Sequence, residues 1–201
     1  MSATFTHRYI PGTGARTLLL LHGTGGNEES LLGLGAELLP GANLLSPRGR
    51  VMEGSMPRFF RRLAEGVFDQ EDLALRTREL AEFVADATAL YRFDPAQVTA
   101  VGYSNGANIA ASLLLSRPGV LPNALLLRAM VPFEAAPKGL EGTRVRLGIG
   151  RRDPIIPFDN AQRLAALLRE GGAEVTLDVR EAGHQLLPDE ISAAAEWVRS
   201  L

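Results

Sequence analysis

The chain contains no cysteine. That absence excludes disulfides, thiolate metal sites and a cysteine nucleophile together. Long apolar runs are also missing. The longest fall far short of the roughly 20 residues that cross a bilayer, and the N-terminal MSATFTHRYIPGTG carries no apolar segment of the signal-peptide kind. Neither charge sign is in excess, since the formal net charge is −2, and no basic patch is interleaved with aromatics. A nucleic-acid footprint is therefore not expected. Histidine is scarce, with only His7, His22 and His184 to serve as a base. What is present is ordinary for a globular protein: 201 residues, 46% hydrophobic and 22% charged. These figures suit one domain, residues 1–201, with a sizeable core. The expectation is a cytoplasmic enzyme acting on a small molecule, with a homodimer left open.

Short apolar runs read as buried strands at Thr17–His22, Asn43–Ser46, Val98–Tyr103, Ala124–Met130, Val145–Gly150 and Val175–Glu181. Continuous rather than alternating apolarity suits parallel strands covered on both faces. ATFTHRYI (residues 3–10) alternates and ends at Pro11, as an edge strand would. Helical periodicity covers Glu28–Leu39, Asp72–Tyr91, Asn105–Ser116, Phe158–Glu170 and Pro188–Leu201. Strand–helix alternation of this kind predicts an α/β sandwich with a mostly parallel central sheet. Residues 47–71 break the rhythm, carrying Met52, Met56, Phe59, Phe60 and Phe68 beside several arginines. The segment reads either as a functional loop lining a cleft or as a short extra helix packed on the core.

The chemistry centres on Gly102-Tyr103-Ser104-Asn105-Gly106, a G-x-S-x-G pentapeptide. The bare pattern is weak in a chain with 21 glycines. Context strengthens it, because a strand precedes it directly and a helix follows directly, as a nucleophile elbow requires. The serine hydroxyl then needs a base. The order Ser, acid, His leaves only His184, in EAGHQLLP, against the plainer reading of a loop histidine capping the last helix. Among the acids between them, Asp153 in GRRDPIIP follows a strand at its carboxyl end, so it is the best orienter for His184. An Asx turn before Pro154 is its plainer role, and the two are compatible. Oxyanion donors fall to the backbone N–H of Asn105 and, in His22-Gly23-Thr24-Gly25-Gly26, to that of Thr24 or its neighbour Gly23. His22 is expected to hold this loop rather than to act as base. The GTGG stretch lacks the residues of a phosphate cradle, and no metal or cofactor is called for.

HGTGG, GYSNGA, GRRDPIIP and AGHQL, in this order and spacing, resemble the small serine α/β-hydrolases of the phospholipase/carboxylesterase family over essentially the whole chain. That family includes acyl-protein thioesterases and is related to dienelactone hydrolase, which has Cys where this chain has Ser104. SPRGRVMEGSMPRFFRRLAEGVFDQEDL resembles most a bacterial subgroup linked to hydroquinone and quinone resistance. The resemblance implies an α/β-hydrolase fold, the triad Ser104, Asp153 and His184, and Thr24 and Asn105 as oxyanion donors. One departure is Asn105, where thioesterase members usually have Gln. The chain is too short for a large cap, so the expected activity is hydrolysis of small carboxylic esters, short in acyl chain or compactly aromatic. Thioesterase or lysophospholipase activity, a lyase, a carbon–carbon bond hydrolase and a binding protein are the alternatives. Met56, Phe59, Phe60, Tyr103, Ile155 and Ile156 are candidate pocket walls, each with an ordinary core reading beside it. Arg58 reads as a surface ion pair, or as a ligand for a substrate carboxylate or phosphate.

Overall fold

Strands and helices alternate along the computed structural model, which describes residues 5–135 and 138–201. In chain order the elements are β1 (His7–Ile10), β2 (Thr17–Leu21), α1 (Leu32–Leu38), β3 (Asn43–Pro47), β4 (Val51–Glu53), β5 (Met56–Arg58), β6 (Arg62–Ala64), β7 (Val67–Phe68), α2 (Gln70–Tyr91), β8 (Val98–Tyr103), α3 (Asn105–Ser116), β9 (Asn123–Leu127), β10 (Arg144–Gly150), α4 (Phe158–Glu170), β11 (Glu174–Arg180) and α5 (Pro188–Arg199). A seven-stranded sheet runs in the order β1-β3-β2-β8-β9-β10-β11. Its neighbours are parallel except β1, which pairs antiparallel with β3 at one edge. Ala3 and Thr4 of the expected edge strand lie outside the described residues.

The apolar runs behave as doubly covered strands must. Leu18, Leu19, Leu20 and Leu21 of β2 are all fully buried. Successive side chains point to opposite faces. Leu18 and Leu20 therefore pack with Leu38 of α1 and Ile191 and Val198 of α5, while Leu19 and Leu21 join Leu80 of α2, Ile109 of α3 and Leu164 of α4. The longest helix, α2, is closed at both ends by local chemistry. The Asp69 carboxylate accepts from the Asp72 N–H, and Arg92 turns left-handed (φ 57°) to end it. No helix among the described residues is long and apolar enough to cross a membrane.

Three expectations need correction. Helix α1 begins at Leu32, not Glu28, because residues 27–30 form a turn in which the Asn27 carboxamide accepts from the Glu29 N–H (2.9 Å). Strand β9 stops at Leu127 rather than Met130, because Arg128 takes a left-handed backbone (φ 59°) that no strand continues through. Of residues 47–71, only Gln70 and Glu71, the start of α2, are helical, so no extra helix packs there. The segment forms two small antiparallel hairpins, β4–β5 and β6–β7, turned by Gly54 (φ 61°) and Gly66 (φ 72°). No cap domain intervenes between β3 and α2.

Leu19→Ala opens a cavity at the centre of the sheet and should cost about 2–5 kcal/mol of stability in urea unfolding. A loss below about 1 kcal/mol would mean that the two-faced packing of β2 is wrong.

Candidate active site

The join between β8 and α3 is tight. Ser104 has φ 53° and ψ −114°, a region that a non-glycine residue enters only under constraint. The constraint is visible on both sides. The Ser104 N–H donates to the Leu127 carbonyl, and its own carbonyl accepts from the Asn108 N–H, each at 2.9 Å. A Cβ on Gly106 would lie 2.0 Å from the Leu21 carbonyl oxygen, and one on Gly102 would lie 2.7 Å from the Ala107 nitrogen. Only glycine at both positions lets α3 start this close to β2 and β8.

The turn delivers the Ser104 hydroxyl to His184. The Ser104 Oγ lies 2.9 Å from His184 Nε2, and His184 Nδ1 lies 2.8 Å from Asp153 Oδ2. An ionised carboxylate only accepts, so Nδ1 carries the proton and Nε2 is left to accept from the serine hydroxyl. The Asp153 side chain is fully buried, whereas that of His184 keeps 19% exposure. The other carboxylate oxygen of Asp153 accepts from the Ile155 and Ile156 N–H groups at 2.8 and 3.1 Å. The Asx-type turn thus coexists with the contact to His184.

The amides expected to hold an oxyanion are those of Asn105 and Thr24. Asn105 opens α3, so its N–H has no partner within the helix. The Thr24 N–H takes no protein acceptor among the described residues, whereas those of Gly25 and Gly26 are engaged by Pro57 and Gly23. His22 sits beneath this loop. Its Nδ1 meets the Gly23 carbonyl at 2.7 Å, and its Nε2 accepts from the Gly49 N–H at 2.9 Å. Burial pulls its pKa below the ordinary value, so it stays neutral and structural.

The hairpin segment hydrogen-bonds to the side chains of Thr24 and Asn105, which sequence reasoning missed. The Arg58 guanidinium, only 3% exposed, donates to Thr24 Oγ1 at 2.7 Å and to the Phe60 carbonyl at 3.1 Å. The surface ion pair expected for Arg58 is therefore corrected: it is buried, with Glu53 at 3.3 Å. The Phe59 N–H donates to Asn105 Oδ1 at 2.7 Å, which leaves the buried Asn105 Nδ2 without an acceptor among the described residues. An arginine and an amide flanked by apolar residues were the available signals.

The candidate walls separate into groups. Ile155 and Ile156 line a cavity of about 30 Å³ together with Ser104, Asn108, Met130 and Phe68. Phe59 and Phe60 are 1% and 0% exposed and belong to the core, as their plainer reading had it. Met56 is exposed and lies near Gly25. Tyr103 supports rather than lines: its hydroxyl, whose pKa burial raises, donates to the His184 carbonyl at 3.0 Å. Larger depressions of about 380 and 400 Å³ lie elsewhere, beside Gln70 and Ser116 and beside Arg16 and Gly41. No cluster of three metal-ligating His, Cys, Asp or Glu side chains occurs among the described residues.

This sheet, elbow and loop arrangement defines an enzyme of the α/β-hydrolase fold, and comparison with known proteins specifies it further. No protein-family model matches the chain. The protein named "Putative hydrolase MhqD" from Bacillus subtilis (strain 168) is 47% identical over 198 residues, covering 96% of this chain and 97% of that one. A carboxylesterase of Bacillus cereus superposes with a TM-score of 0.94 at 45% identity, covering 98% of this chain and 95% of that one. A carboxylesterase of Mesorhizobium loti superposes at 0.92 with 30% identity, covering 98% and 95%. The chain belongs to the phospholipase/carboxylesterase family of hydrolases.

Two predictions follow from this geometry. Gly106→Ala must push α3 away from β2, so soluble protein should lose both melting temperature and hydrolysis, the latter by about a hundredfold. Full activity would refute the close approach. His22 has a folded-state pKa below its unfolded value of 6.5, so its contribution to stability is complete above that pH and is lost as pH falls below it. In urea titrations between pH 7.5 and 5, wild type should therefore lose more stability than His22→Gln. Equal slopes would contradict a buried neutral histidine.

Proposed function

We propose that the protein is a cofactor-free serine carboxylesterase that cleaves small carboxylic esters in the cytoplasm. The observation that carries this reading is the continuous hydrogen-bonded line from Ser104 Oγ through His184 to Asp153. Ser104 Oγ attacks the ester carbonyl while His184 Nε2 takes its proton. Asp153 keeps the proton-bearing Nδ1 in place and stabilises the imidazolium that forms. The Thr24 and Asn105 amides receive the oxyanion, and each such donor is typically worth about 3 kcal/mol in the transition state. The imidazolium then protonates the leaving alcohol. With the alcohol gone, His184 deprotonates a water that attacks the acyl-enzyme, and Ser104 leaves with its proton restored.

The cavity beside Ser104 supports a small acyl group. Its narrow space of about 30 Å³ favours a short acyl group over a long chain. The neighbouring hairpins carry exposed Met52, Met56, Leu63 and Val67, and Ile155 is exposed on the Asp153 loop. Apolar groups there suit a compact apolar or aromatic alcohol.

Ser104→Ala should lower kcat for p-nitrophenyl acetate by at least about a thousandfold. Retained turnover would remove Ser104 as nucleophile. In wild type, kcat/KM for p-nitrophenyl octanoate should fall below that for the acetate by about tenfold or more. Equal values would mean that the cavity does not limit acyl length.

A further inference from the structure

Arg128 is the largest fully buried side chain in the core, and a charge in such a place needs a reason. Its guanidinium meets Glu190 Oε1 at 2.6 Å through Nη1 and Glu190 Oε2 at 2.8 Å through Nη2. Both side chains are essentially inaccessible, at 0% and 1%. Stability does not supply the reason, because a buried ion pair replaced as a unit by apolar side chains of similar volume is often equally stable or more so.

The remaining donors do supply one. Arg128 Nε donates to the Gly183 carbonyl at 3.0 Å, and Nη2 donates to the Gln185 carbonyl at 2.7 Å. These carbonyls flank His184. The carbonyl between them, that of His184 itself, accepts from Tyr103 Oη at 3.0 Å. Residues 183–186 make no backbone–backbone hydrogen bonds among the described residues. Side chains therefore hold three consecutive carbonyls of the loop that carries the imidazole. Arg128 Nε also stands 4.0 Å from Asp153 Oδ2, the oxygen that meets His184.

Other features fit the same purpose. Arg128 is one of three non-glycine residues with positive φ among the described residues, and this backbone ends the strand at the point where its side chain meets the loop. A Cβ on Gly148 would lie 2.6 Å from Glu190 Oε1, so glycine there makes room for the pair. Glu190 Oε2 also accepts from the Leu187 N–H at 3.3 Å, tying the start of α5 to the same cluster.

We propose that Arg128 is a positioning residue: its planar fork, itself fixed by Glu190, sets the height and orientation of the His184 loop so that Nε2 meets Ser104 Oγ. The proposal rests on the Ser104–His184–Asp153 reading. It assigns Arg128 no contact with substrate. A guanidinium suits the task because it offers several donors in one rigid plane, which an ammonium cannot reproduce.

The test replaces the pair as a unit, Arg128→Met with Glu190→Leu, so that no buried charge is left unpaired. The expected protein melts within a few degrees of wild type. Its kcat for p-nitrophenyl acetate falls by about a hundredfold, the scale of a 1 Å misplacement, while KM stays within about threefold. Labelling of Ser104 by a fluorophosphonate slows in parallel with kcat. A kcat within about threefold of wild type overturns the proposal, because a purely structural pair would survive this exchange. If the double variant does not fold, Arg128→Lys takes its place. It keeps the charge beside Glu190 but not the fork, so the same kcat loss at near-constant KM is expected, and wild-type kcat overturns the proposal. Ser104→Ala run in parallel separates the two readings. If it retains hydrolysis, the triad itself is wrong. If it is inactive while the Arg128 variants are not, only the positioning role falls.

Discussion

The structure depends on one backbone turn. Ser104 must hold φ near 53° between a strand and a helix, and nothing in serine favours that conformation. The surrounding fold enforces it from three directions: Leu127 of β9 accepts its N–H, the first turn of α3 grows from its carbonyl, and Gly106 lets that helix press onto the end of β2. The strain has a chemical use. It lifts the hydroxyl off the sheet edge while leaving the Asn105 N–H, the next donor along, without a helical partner. On the proposed reading, nucleophile and oxyanion donor are both products of the same turn.

Around it the molecule uses two buried arginines in parallel ways. Arg58, from the hairpins, holds Thr24 Oγ1 on the loop after β2. Arg128, from the end of β9, holds the carbonyls on either side of His184. Arg58 adds to the Gly25–Pro57 backbone bond, Arg128 spans a stretch with no backbone pairing, and each is paired with a glutamate, Glu53 and Glu190 respectively. The sheet positions strand ends to a few ångströms. Loops leaving those ends need further restraint, and planar guanidinium groups with several donors provide it.

How much of this was legible in the sequence depended on the range of the interaction. Continuous leucine runs announced the buried strands, and elbow, acid and histidine followed in an order that only one histidine satisfied. These are local patterns, or simple orderings of them. The hairpins at 51–68 were not legible, because strands of two or three residues are too short to show a period and because Phe59, Phe60 and Phe68 look like core wherever they fall. The partners of Arg58 and Arg128 were hidden for a different reason. Thr24 and Glu190 lie 34 and 62 residues away in the chain. An arginine inside ALLLRAM was a visible anomaly, but its meaning existed only once the His184 loop lay over it.

The central claim is that Ser104 is made nucleophilic by His184. Rapid-quench mass spectrometry during turnover of p-nitrophenyl acetate, with peptide mapping, tests it most directly. The account predicts an acetyl adduct on the peptide containing Ser104 that forms and decays at rates consistent with kcat and is lost in His184→Ala. An adduct on another residue, or one that forms as fast without His184, would contradict it.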